Sequence, residues 1–190
     1  SLRWTLDVPV ADALIRERDT FLELKNGDQS KAQRHIFFAE REAAKVADLP
    51  KDVKPRDVKS VGVIGGGTMG GGIAMCFANA GIPVAIRETS DEALKRGLDI
   101  VAKNYQASAK RGGLSSEDVD IRLGLMTGTT DTSSLGHADL VIEAVFEDME
   151  VKREVFGKLD AATKPDAILA TNTSYLDVNE IAHFTQRPQS

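Results

Sequence analysis

The 190-residue chain is 42% hydrophobic, 28% charged and only 5% aromatic, with a formal net charge of -5. That composition excludes a disordered tail and assigns the core to aliphatic side chains, as in a parallel sheet buried on both faces. No basic stripe speaks for nucleic acid, no apolar run approaches the ~20 residues of a membrane helix, and the single cysteine, Cys76, rules out an intrachain disulfide.

The first segment reads as helical. Residues 10–25 carry Leu14, Phe21, Leu22 and Leu24 among charges, and Asn26-Gly27-Asp28 breaks the pattern. Asp28 is the expected N-cap of a second helix to about Val46, with Ile36, Phe37, Ala39, Ala43 and Ala44 near one face. Residues 47–57, with Pro50 and Pro55 among charges, have the composition of a linker. Two amphipathic helices do not bury themselves. Residues 1–58 are therefore expected to be the tail of a preceding domain, with an independent dimerisation hairpin as the alternative.

From Lys59 the rhythm changes to strand, turn, helix, repeated. Strands are expected over 61–64, 84–87, 125–127, 140–143 and 168–171. Helices are expected over 68–79, from Asp91 as a cap to about Arg111, from a capping box at Ser115 to Asp118, over 149–161 and over 177–184. Gly81 stands where a helix C-cap glycine belongs, with Pro83 just beyond. Strands alternating with helices imply right-handed crossovers and an α/β fold with a doubly wound parallel sheet of Rossmann type.

Residues 65–70 (GGGTMG) satisfy Gly-x-Gly-x-x-Gly between a strand and a helix, the setting that a dinucleotide fingerprint requires. Gly65 permits the tight turn, Gly67 lets the backbone approach a pyrophosphate, and Gly70 lets helix and strand pack closely. Met69 lies in the helix's first turn, where unpaired N–H groups meet phosphate. Glu88, at the end of the second strand, stands where a carboxylate accepts hydrogen bonds from the adenosine ribose and repels a 2′-phosphate. NAD is therefore expected over NADP. The neighbouring Arg87 is the one feature that leans the other way, and an isolated Glu88 would read as a solvated loop carboxylate.

Three stretches together resemble the 3-hydroxyacyl-CoA dehydrogenase family: residues 61–70 (VGVIGGGTMG), residues 139–147 (DLVIEAVFE) with Lys152, and residues 171–174 (TNTS). Residues 30–41 (SKAQRHIFFAER) resemble the helix that ends the enoyl-CoA hydratase/isomerase region of multifunctional β-oxidation enzymes. The resemblance implies an incomplete NAD-binding Rossmann domain over 59–190, truncated before its sixth strand. It also implies an L-3-hydroxyacyl-CoA dehydrogenase parent that is an enoyl-CoA hydratase as well, acting on fatty acyl-CoA. Val145, Phe146, Glu147 and Lys152 would contact the cofactor near the nicotinamide ribose. Asn172 would shape the loop after the fifth strand, and Ser174 would touch both the cofactor and the substrate's 3-oxygen. Glu143 would be a strand-end acid, structural rather than catalytic. Without the resemblance Lys152 is a solvated helix lysine, and Asn172 to Ser174 merely a helix-capping loop.

The family's catalytic histidine and its orienting glutamate are expected beyond residue 190. His35, His137 and His183 fall outside the family's catalytic position, and no metal site is expected. Self-association or a thiolase subunit are the expected protein partners, and the cytoplasm the expected compartment, or the peroxisome in a eukaryote. Two other readings stay open. One is another β-hydroxyacid dehydrogenase, which would lack the Glu147, Lys152, Asn172 and Ser174 set. The other is a non-catalytic NAD-sensing module that associates through its N-terminal helices.

Overall fold

The computed structural model describes residues 4–43, 45, 46, 50 and 52–189. It comprises two units, one ending at Pro55 and one beginning at Arg56. The divide falls slightly ahead of residue 58, because Arg56 Nη1 already donates to the Asp166 carbonyl (3.1 Å) and Val58 packs on the sheet core.

The first unit holds α1 (Trp4–Asp7), α2 (Val10–Asn26) and α3 (Asp28–Ala43). The short α1 has no counterpart in the sequence reading. Asp28 is the first residue of α3 rather than its cap, and the helix closes at Ala43, with Ala44 outside the described residues. Arg34 Nη1 ties the two long helices by donating to the Lys25 carbonyl (2.9 Å). Within this unit Ala13 is the only described residue that is buried, and Leu14, Phe21, Ile36, Phe37 and Phe38 are exposed.

The second unit is a five-stranded parallel sheet in the order β3-β2-β1-β4-β5, from β1 (Val61–Ile64), β2 (Val84–Arg87), β3 (Met126–Thr129), β4 (Leu140–Glu143) and β5 (Ile168–Thr171). The register pairs Val61 with Val84 on one side and with Leu140 on the other. Short aliphatic strands suit this position, because both sheet faces are covered. On one face Val61, Val63, Val84 and Ile86 pack with α4 (Thr68–Asn79) and with Leu94 and Leu98 of α5 (Asp91–Lys110). On the other, Ile64, Leu135 and Val141 pack with Leu159 of α7 (Met149–Ala162). Between them in sequence come α6 (Ser116–Gly124) and a 3-10 turn over Thr132–Leu135, and α8 (Val178–Ala182) closes the chain.

Local chemistry explains where the expected boundaries hold and where they move. The capping box forms as read, with Ser115 and Asp118 exchanging side-chain and backbone bonds. Gly81 takes the left-handed conformation (φ +78°) just past α4. The cap of α5 is Ser90, whose hydroxyl accepts from the Ala93 amide (3.2 Å), so Asp91 sits inside the first turn. The third strand runs Met126–Thr129 rather than 125–127, since Leu125 caps α6 and Gly128 leaves room for Leu94 and Leu98.

At the amino edge of the sheet one carboxylate gathers three segments. Asp139 accepts from the Lys59 (2.7 Å) and Ser60 (3.0 Å) amides, and its other oxygen takes the Lys164 ammonium. Lys164, then the Lys59 amide, hold its carboxyl well below the usual range, at about 2. The folded pKa is depressed, so the stabilisation is complete above the unfolded value near 3.8 and disappears as pH falls through about 2. Asp139→Asn should be less stable than wild type at neutral pH, and that gap should close between about pH 4 and 2 in denaturant melts. A gap independent of pH would contradict this role.

Candidate functional site

The sheet order reverses at β1, which is flanked by β2 and β4, so a crevice opens at the carboxyl ends of β1 and β4. The glycine loop fills its floor. Gly65 is left-handed (φ +96°), and a β-carbon there would come 2.7 Å from the Ala144 carbonyl oxygen across the crevice. A β-carbon at Gly70 would lie 1.8 Å from the Gly65 carbonyl oxygen, and one at Gly97 of α5 would lie 2.6 Å from that of Gly66. Gly67 is the opposite case. It is the N-cap of α4 with no side-chain cap, and a β-carbon there would meet nothing within 4 Å. Uncapped helix-start amides beside open space fit an anionic group such as a pyrophosphate.

Two cavities extend from this floor. One, of about 480 Å³, is lined by Gly65, Gly67, Arg87, Glu88, Val145 and Phe146. The other, of about 320 Å³, is lined by Met69, Glu143, Val145, Glu147, Asn172 and Ser174, with Tyr175 at its margin. They share Ala144 and Val145, so together they form one groove across the switch point. Each lies within the size range of small-ligand pockets. Phe146, Met69 and Tyr175 are exposed along it. Every residue expected to contact the cofactor lines this groove except Gly70, which packs beneath it, and Lys152.

Glu88 does more than its sequence position indicated. Its Oε1 accepts from the Gly66 amide (2.7 Å) and its Oε2 from the Thr89 amide (3.0 Å), so the carboxylate at the end of β2 also pins the glycine loop. Arg87 lines the same cavity, and its buried Nε has no hydrogen-bond partner among the described residues.

Lys152 corrects the sequence reading most. It is neither solvated nor part of the groove wall. It is 1% exposed, and its ammonium lies 3.0 and 2.8 Å from the two oxygens of the fully buried Glu143 and 3.2 Å from Glu147 Oε2. Glu143 also accepts from the Val145 amide (2.8 Å) and the Thr171 hydroxyl (2.6 Å). Glu147 Oε1 in turn accepts from the Thr173 hydroxyl and the Ser174 amide (3.1 Å). The Thr173 hydroxyl, followed by Lys152 and the Ser174 amide, keeps the Glu147 carboxyl below its ordinary pKa, hence ionised. The Asn172 amide bonds the Glu143 carbonyl (2.8 Å), continuing the β4–β5 ladder into the loop. Thr171 and Thr173 enter the sequence reading only as members of the TNTS stretch, without the bonding roles they have here. Their signal was two hydroxyls at a spacing of two, straddling the strand end.

Of the histidines, His137 lies with Ser60 at the opposite, amino edge, His35 belongs to the first unit, and His183 caps α8 with Nδ1 2.6 Å from the Asn179 carbonyl. None of them lines either cavity. Among the described residues no three His, Cys, Asp or Glu side chains cluster closely enough to hold a metal, and no helix is long and apolar enough to cross a membrane.

A glycine turn at the switch point of a parallel sheet, a carboxylate ending β2 and a groove spanning β1 and β4 define a dinucleotide-binding domain. Residues 60–190 match the family model described as 3-hydroxyacyl-CoA dehydrogenase, NAD binding domain, and the chain belongs to that family. It is 40% identical to the peroxisomal bifunctional enzyme of Cavia porcellus over all of this chain and 26% of that protein. It is 38% identical to the fatty acid oxidation complex subunit alpha of Vibrio vulnificus, over 97% of this chain and 26% of the relative. The chain thus spans about a quarter of these relatives. The crystal structure of 3-hydroxybutyryl-CoA dehydrogenase from Escherichia coli K12 superposes with a TM-score of 0.68 at 38% identity, covering 70% of this chain and 28% of that one.

The two glycines make a paired prediction. Gly67→Val should leave thermal stability unchanged, because its side chain enters open space, yet abolish measurable NAD binding by calorimetry. Gly70→Ala should lose at least about 1–3 kcal/mol of stability through backbone overlap. Unaltered NAD affinity in folded Gly67→Val would mean that the loop is only a turn.

Proposed function

We propose that this chain is the NAD-binding part of an enzyme that oxidises L-3-hydroxyacyl-CoA to 3-ketoacyl-CoA in fatty-acid β-oxidation. The observation that carries the reading is the bonded pair of strand-end loops, which brings Glu147 and Ser174 to one cavity beside the glycine loop. NAD, when bound, supplies the acceptor for the hydride leaving C3 of the substrate. The chain's residues have separable tasks. The α4 amides at Gly67 to Met69 take the pyrophosphate, and Glu88 takes the adenosine ribose. Val145, Phe146, Asn172 and Glu147 line the nicotinamide half, and the Ser174 hydroxyl meets the substrate's 3-oxygen. Lys152 holds Glu147 from below.

Oxidation of the alcohol also requires a group that takes its proton. In the family that the chain resembles this acceptor is a histidine just past the next strand, so we assign it to a segment outside residues 1–190; none of His35, His137 and His183 lines the groove. Residues 1–58 are read as the end of a hydratase/isomerase region, which accords with the bifunctional name of the Cavia porcellus relative. Self-association of this chain, and a thiolase subunit as a partner of the longer protein, complete the proposal. The compartment proposed is the cytoplasm, or the peroxisome in a eukaryotic source.

Two measurements test this. Purified chain with NAD and 3-hydroxybutyryl-CoA should bind NAD without producing NADH absorbance. Turnover free of contaminating enzyme would move the proton acceptor into residues 1–190, with His183 the first to replace. Glu88→Gln keeps an acceptor for the Gly66 amide but removes the charge that repels a 2′-phosphate. It should narrow the NADH over NADPH preference by roughly tenfold or more in fluorescence titrations. An unchanged ratio would remove Glu88 from cofactor selection.

A further inference from the structure

Glu143 is the one buried acid among the described residues, and it sits in the floor of the Glu147–Ser174 cavity with both oxygens already bonded within the protein. It is fully buried, and its two oxygens receive four contacts from three separate segments. The Val145 amide belongs to the turn after β4, Lys152 to α7, and the Thr171 hydroxyl to the end of β5. Through Lys152 it also touches Glu147, which receives the Ser174 amide and the Thr173 hydroxyl. Burying the Glu143 carboxylate with the Lys152 ammonium is costly unless each is fully hydrogen-bonded, and Lys152 reaches the partly exposed Glu147 as well. Such a network fixes the relative position of the segments it joins more closely than aliphatic packing, which is adjustable.

We propose that Glu143 is the positioning residue of the nicotinamide half of the groove, locking the β4 and β5 loops together through Lys152 and Thr171 so that Glu147 and Ser174 present one fixed surface. The inference rests on the cofactor-site reading above. It divides the groove energetically. Gly67 and Glu88 of the first cavity make no hydrogen bond to Glu143, whose one link there is the shared Val145, whereas the second cavity is closed by the loops that Glu143 joins. Ligands confined to the first cavity should therefore ignore a change at Glu143, and ligands reaching the second should not.

The test compares NAD with ADP, which lacks the nicotinamide half, on the intact chain by calorimetry. Glu143→Gln keeps the side-chain volume and an oxygen acceptor but removes the charge. Thr171→Val keeps all charges and removes one link. In wild type NAD should bind more tightly than ADP. Glu143→Gln should weaken NAD roughly tenfold, the effect of losing one charge-assisted hydrogen bond, while ADP affinity stays level. Thr171→Val should do the same to a smaller degree. Amide exchange at Ser174 should quicken in both variants, with Val63 and Ile86 amides as protected as in wild type. Parallel loss of NAD and ADP binding, or loss of protection at Val63 and Ile86, in both variants would make Glu143 a stability element and overturn the proposal. Unchanged NAD affinity would overturn it too. Failure of wild type to bind ADP at all would instead overturn the cofactor-site reading itself, and this inference with it.

Discussion

At Gly70 the first turn of α4 lies so close to the loop leaving β1 that a single β-carbon would overlap the Gly65 carbonyl. That contact fixes how far α4 stands from the sheet, and therefore where its free amides point. Two further contacts hold the same loop from other sides. Gly97 brings α5 against Gly66, and the Glu88 carboxylate takes the Gly66 amide. The loop is thus gripped by a helix on one flank and a strand end on the other, leaving only its Gly67 side open. An open side on a rigid floor is what a phosphate-binding backbone requires, because the donors are oriented before the ligand arrives.

Much of this was legible in the sequence because it depends on local chemistry. The glycine spacing, the aliphatic strands, the Ser115–Asp118 capping box and the left-handed Gly81 are each determined by residues a few positions apart. Parallel strands and right-handed crossovers follow from the alternation with helices, while the order β3-β2-β1-β4-β5 is set by the fold. What was not legible depends on residues far apart in the chain. Lys152 looked like any lysine in a helix's first turn. Only the folded sheet brings it under β4, where Glu143 replaces the water it would otherwise have. The double duty of Glu88 has the same origin, since its partner Gly66 lies 22 residues earlier. The shift of the α5 cap from Asp91 to Ser90 is a smaller matter of two adjacent capping residues competing for one amide.

The two edges of the sheet carry different kinds of polar network. At the amino edge Asp139 joins the start of β1, the start of β4 and the segment before β5 with exposed or half-exposed partners. At the carboxyl edge the buried Glu143 joins the ends of β4 and β5 through the buried Lys152 and the partly buried Thr171. The first network resists unzipping of the sheet and touches neither cavity. The second arranges the loops that line one of them. Folds of this kind place ligands at the carboxyl end of the strands, and the distribution of charge follows that polarity.

That polarity bears on how such a domain can change over generations of substitution. Along the Gly67–Glu88 cavity wall Phe146 is exposed and attached to the fold mainly by its own backbone, so it has room to be replaced. Glu143 has no such freedom. A replacement there would disturb three segments at once, and no single second substitution restores them all. A change at Glu143 is therefore felt on both sides of the β4–β5 loops at once, whereas a change at an exposed wall residue such as Phe146 stays local.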